Sequence, residues 1–226
     1  MEFDGIAEIV FYWLNYHYIV SKSSVLIESS IRFPLTEYIE RRLGEKVVLE
    51  AEHPVFQGLH YDFKYKIGEI PRNIELKYLH DYSDRESEYK RYFDDIVRLA
   101  VLEGKNYFIL CGERDLYDNK IKKEYTPIEK DGKGSIPVEG GYVKRFTIDP
   151  KKERDFSRLL PLNNVGDVAS FCPFEFWSYV GGKDNIDKSS RQIPPTLKEI
   201  QTKLIAKQND ESKGSLVVYI WEVNSI

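Results

Sequence analysis

The chain has 226 residues and a formal net charge of -4, with 42% apolar and 31% charged residues. That is the composition of a folded globular chain, and the mild acidity argues against coating nucleic acid by bulk charge alone. Its two cysteines, Cys111 and Cys172, cannot build a disulfide framework, which favours a reducing compartment.

The first residues, Met-Glu-Phe-Asp, are acidic where a secretory leader starts basic. The apolar run Ile6 to Val20 is broken by Glu8, Asn15 and His17, too short and too polar to span a bilayer. It reads as a packing helix of a soluble, cytoplasmic protein with no membrane contact. Helix continues in pieces from residue 5 to about 43. Ser23 and Ser24 offer a cap before Val25, Pro34 marks a kink or a new first turn, and Gly44 is a fitting stop.

Three strands are predicted next. Val47 to Glu52 is the first, closed by His53-Pro54. Leu59 to Ile67 is the second, with Leu59, Tyr61, Phe63, Tyr65 and Ile67 alternating against His60, Asp62, Lys64 and Lys66. Gly68 to Asn73 reads as a turn, and Ile74 to Leu79 as the third strand. Short links favour an antiparallel meander. Ser83 to Glu86 has capping-box spacing for a helix with the stripe Tyr89, Tyr92, Phe93, Ile96, Val97 and Ala100, ended by Gly104. Asn106 to Cys111 is a short buried strand, with Cys111 as inert core.

Residues 113 to 141, rich in Lys, Asp and Gly, read as an irregular excursion. The remainder offers an aromatic stretch from Phe171 to Tyr179, a helix near Thr196 to Lys207, and a terminal strand from Leu216 to Val223 that should join or pack on the main sheet. Val180-Gly181-Gly182-Lys183 lacks the spacing of a phosphate-binding loop and reads as a turn. The whole, 1–226, is read as one α/β domain, with a core over about 20–112 and a C-terminal elaboration over 113–226.

The chemistry is carried by Asp62 on the second strand and Glu75-Leu76-Lys77 on the third. Alternation puts these three charged side chains opposite the large apolar residues, so neighbouring strands would bring two carboxylates and an ammonium together. Adjacent carboxylates repel and need a cation. A hard divalent ion with oxygen ligands, Mg²⁺ by default and Mn²⁺ as an option, meets that need. Such an ion can bind a phosphodiester oxygen and lower the pKa of bound water. Without an ion, the same residues would be cross-strand ion pairs on a solvated sheet face.

With Asp62, the Glu75-Leu76-Lys77 triplet and the helix, three-strand, helix, strand order around them, the sequence resembles the PD-(D/E)xK nuclease superfamily. The resemblance implies a restriction endonuclease-like core and a metal-dependent endonuclease that hydrolyses DNA, of restriction or defence type. It implies Asp62 and Glu75 as metal ligands and Lys77 as the catalytic lysine. Many members add a helix glutamate, here Glu28, with Glu37 in reserve. Tyr61 stands where the family name expects Pro. A homodimer is implied by the resemblance only, since cutting a duplex often uses two copies.

Other residues have a bland reading beside a functional one. Glu50 and Glu52 share a strand face that could reach the site or stay exposed. His60 is in phase with Asp62, and His53 and His80 lie near it in sequence. Lys90, Arg91 and Arg98 could meet phosphates or face solvent, as could the lysines of the excursion. Two rival functions stay open: a restriction-like module that binds nucleic acid or protein without cutting, and an unrelated α/β scaffold that pairs through its aromatic surface.

Overall fold

The computed structural model describes residues 2–20, 27–56, 58–79, 85–114, 159–171, 173, 196–209 and 216–226. Of 85–91 and of four short strands between 127 and 148 it describes the backbone. The fold is α/β: N-terminal helices precede a seven-stranded mixed sheet that is covered by helices.

Helix α1 (Glu2–Ile19) buries Ile6, Ala7, Val10, Phe11 and Leu14, one face at helical spacing. Helix α2 spans Glu28–Tyr38. Ile27 is its N-cap residue, and the Ser30 hydroxyl donates back to the Ile27 carbonyl at 2.7 Å. The predicted Ser23 and Ser24 cap lies outside the described residues. Pro34 does not open a new first turn: it lies inside α2, buried, where a proline forgoes one intrahelical bond. A π-helical turn, Ile39–Leu43, follows, and Gly44 at φ 75° stops it as expected.

Strands β1 (Val48–Glu52), β2 (His60–Ile67) and β3 (Ile70–Tyr78) form the antiparallel meander. The predicted turn is shorter than expected: β3 already begins at Ile70, and Pro71 is tolerated because β4 pairing begins only at Arg72. Helix α3 (Arg85–Ala100) then crosses over to β4 (Lys105–Glu113), which lies parallel to β3. The helix ends at Ala100; Gly104, at φ 97°, instead makes the tight entry to β4, where a Cβ would fall 2.4 Å from the Pro71 carbonyl oxygen.

The excursion is not wholly irregular. β5 (Pro127–Glu129) pairs with β8 (Phe146–Ile148), and β6 (Ile136–Val138) with β7 (Gly141–Val143), as two small sheets. β9 (Val168–Phe171), β10 (Ile200–Asn209) and β11 (Leu216–Ser225) extend the main sheet in the order β1-β2-β3-β4-β11-β10-β9. The helix expected near Thr196 to Lys207 is therefore corrected to strand β10. Its Ile200 and Leu204 suit a helical period, but Ile200, Thr202 and Leu204 are buried at period two, a bulge then turns Ala206 to the other layer, and long antiparallel pairing with β11 selects the strand. The terminal strand joins the sheet at its centre, between β4 and β10.

Two apolar layers flank the sheet. One holds α1 and α2 against Phe63, Tyr65, Ile74, Leu76, Tyr78, Ile109 and Ile220. The other holds α3 against Phe108, Leu110, Tyr219 and Trp221. Phe171 packs in this second layer against Phe93, while 174–179 of the aromatic stretch lie outside the described residues. Among the described residues no helix is long and apolar enough to cross a membrane.

Candidate functional site

β2 and β3 stay in register from Ile67–Ile70 to Phe63–Ile74, and their pairing stops there. β3 runs on beside β4 to Tyr78. The divergence leaves the Leu76 N–H without a strand partner on the β2 side. The Asp62 carboxylate takes it: Leu76 N donates to Oδ2 at 2.7 Å. An unpaired buried amide is costly, so this bond anchors the Asp62 side chain in the fork. The other oxygen, Oδ1, accepts from Arg32 of α2 at 2.5 Å, and Arg32 also donates to Glu50 of β1 at 2.6 Å.

Glu75 and Lys77 lie on the α3 side of β3. Lys77 Nζ meets three carboxylates: Glu75 at 2.8 Å, Asp95 of α3 at 3.3 Å and Glu28 of α2 at 3.7 Å. Arg98, one turn after Asp95, pairs with Asp95 and reaches Glu75 at 3.3 Å. Asp62, Glu75, Lys77 and Asp95 are all at least nine-tenths buried. The alternative of a solvated sheet face is thus corrected for these residues. Lys64 and Lys66, at the same phase of β2, are the ones that face solvent.

Burial raises the Asp62 pKa above its ordinary value, and the Glu75 charge raises it further. Lys77, the Leu76 amide and Arg32 act in the opposite direction. For Arg32, burial lowers the pKa, but Glu50 and Asp62 outweigh it and hold the guanidinium firmly charged. The three buried carboxylates, Asp62, Glu75 and Asp95, meet three cations, Arg32, Lys77 and Arg98, while Glu28 and Glu50 reach the network from its more exposed margin.

The donor chemistry, carboxylate oxygen throughout, is that preferred by a hard divalent cation. The residues are not gathered as a ready cage: among the described residues, no three acidic, histidine or cysteine side chains are grouped to hold a metal ion. Arg32, Lys77 and Arg98 stand between the carboxylates.

The structure therefore brings Glu75, Lys77 and Glu28 together directly and places Asp62 within their electrostatic reach. Glu37 instead pairs with Arg41 at 2.5 Å along its own helix, which selects Glu28 as the helix carboxylate beside the lysine. Arg98 does not present itself to solvent, as a phosphate contact or a solvated helix face would; it turns into the cluster. The side chains of Lys90 and Arg91 lie outside the described residues, as does His80. His60 and Glu52 are exposed. His53 is buried: its Nδ1 accepts from Val55 N and Phe56 N, so Nε2 carries the proton toward the Arg98 carbonyl. Cys111 is fully buried, and burial, then the Glu28 charge, pushes its thiol pKa up, which keeps it an inert thiol.

Sequence reasoning missed Asp95 and Arg32. Asp95 carried a signal: it lies three residues after Tyr92 and four before Leu99, among inward-facing positions of α3, where a lone carboxylate needs a buried partner. Arg32 carried none, because its partners are distant in sequence. Compared with protein families, with curated proteins and with solved structures, the chain shows no match.

Proposed function

We propose that the protein is a metal-dependent endonuclease of restriction endonuclease-like architecture that hydrolyses DNA phosphodiester bonds. The observation that carries this reading is the buried cluster at the β2–β3 fork. A lysine is held among carboxylates there, beside an aspartate anchored to the diverging strand. The order of helix, antiparallel meander, crossover helix and parallel strand supports the same reading.

In this reading Asp62, Glu75 and Glu28 would hold Mg²⁺, or Mn²⁺ in its place. The bound cation supplies Lewis-acid stabilisation of phosphate charge and a more acidic water. Lys77 orients the attacking water and offsets charge growing on the phosphate. Arg98 and Asp95 keep the ammonium and the Glu75 carboxylate aimed at one another.

The test incubates the protein with plasmid and single-stranded DNA in Mg²⁺, Mn²⁺ or EDTA, beside Glu75→Ala and Lys77→Ala. Metal-dependent cleavage is expected in the wild type and its loss in both variants. Cleavage that persists in both would reject the assignment. A second reading, a related module that binds nucleic acid without cutting it, is favoured by the cations that already occupy the carboxylates. Ca²⁺-supported DNA binding with no Mg²⁺-supported cleavage would select it.

A further inference from the structure

Glu50 is the one described non-glycine residue with a positive φ, 49°. It sits in β1 between Leu49, paired with Phe63, and Ala51, paired with Tyr61, so it stands opposite Asp62 without pairing to it. An L-residue adopts this left-handed backbone at a cost, and such strain persists only where the surroundings over-determine it. The side chain is two-thirds exposed, so burial of Glu50 itself does not supply the compensation. What it does make is the bond to Arg32 Nη1, whose Nη2 holds the buried Asp62.

We infer that Glu50 is a positioning residue: its kink presents a carboxylate that fixes Arg32, and through Arg32 fixes the orientation of Asp62 at the fork. This deepens the nuclease reading and rests on it. The planar guanidinium bridges the two carboxylates, with Nη1 on Glu50 and Nη2 on Asp62. Asp62, held by Arg32 at Oδ1 and by the Leu76 amide at Oδ2, has neither oxygen free to swing away. Because the kink is retained for the carboxylate and not for the strand, stability and function should respond oppositely when glycine replaces it.

The experiment compares wild type with Glu50→Gly, Glu50→Gln and Glu50→Asp. It reads thermal melting without metal, the rise in melting temperature as Mg²⁺ is added, and Mg²⁺-dependent cleavage of plasmid DNA. Glycine accepts a left-handed φ freely, so Glu50→Gly is expected to melt at the wild-type temperature or above it. The same variant should lose roughly tenfold to a hundredfold in cleavage or in apparent Mg²⁺ affinity, as partners of metal ligands do. Glu50→Gln should show that loss without the gain in melting temperature, and Glu50→Asp should recover part of it.

Unchanged cleavage and Mg²⁺ response in Glu50→Gly, an increase in either, or a fall of several degrees in its melting temperature would each overturn the inference. A wild type that neither cleaves nor gains stability from Mg²⁺ would overturn this inference and the nuclease reading together. A responsive wild type matched by all three variants would overturn this inference alone.

Discussion

Replacing Lys77 by Met removes one ammonium from a buried network while keeping much of the side-chain volume. Lys77 Nζ lies 2.8 Å from Glu75, 3.3 Å from Asp95 and 3.7 Å from Glu28, and the residue is 7% exposed. The variant leaves the buried carboxylates Asp62, Glu75 and Asp95 against Arg32 and Arg98 alone, one cation short. Breaking a buried pair from one side costs ~3–5 kcal/mol. Arg98 still reaches both Glu75 and Asp95, so the lower end, about 3 kcal/mol, is expected. In a domain of this size that lowers the melting temperature by roughly 6–12 °C. Glu75→Gln removes a negative charge and the repulsion it exerts on Asp62. It should stay within about 1 kcal/mol of wild type, since the amide oxygen can still accept from Lys77. Urea unfolding at pH 7 without metal measures both. A Lys77→Met protein as stable as wild type, or a Glu75→Gln protein less stable than Lys77→Met, would refute this account of the buried lysine.

Other outcomes follow from single positions. Gly104→Ala combines a left-handed φ of 97° with a Cβ 2.4 Å from the Pro71 oxygen, so it should cost about 2 kcal/mol or more in denaturant unfolding. Thr202→Val deletes the hydroxyl that donates to the Leu159 carbonyl inside the core, and ~1–3 kcal/mol of lost stability is expected in the same assay. Burial, then the Arg98 charge, hold the His53 pKa below its ordinary 6.5, against the opposing pull of its bond to the Arg98 carbonyl. Below pH 6.5 the unfolded chain takes up a proton that the folded chain refuses. This contribution is therefore full above 6.5 and is lost as pH falls toward the folded value, with a slope of at most ~1.4 kcal/mol per pH unit. His53→Asn, whose side-chain oxygen can still accept from Val55 and Phe56, should show a shallower loss between pH 6.5 and 5.

The elements legible in the sequence were those whose pattern is local. The alternation from Leu59 to Ile67 and the apolar stripe from Tyr92 to Ala100 each require only that one face be buried, whatever buries it. They located β2 and α3 to within a few residues. Glu75 and Lys77 were readable as a pair because period two alone sets them on one face of β3.

Residues 200–209 satisfied both a helical and a strand period, and only the antiparallel partner β11 decided between them. The same holds for the site. Glu28, Arg32, Glu50, Asp62, Asp95 and Arg98 come from four elements whose neighbourhood depends on where the β2–β3 pairing stops and on how α2 and α3 cover the sheet. Alternation and helical period say which way a side chain faces, because backbone geometry repeats within an element. They say nothing of which charge it will meet, because that is set by contacts between segments far apart in the chain.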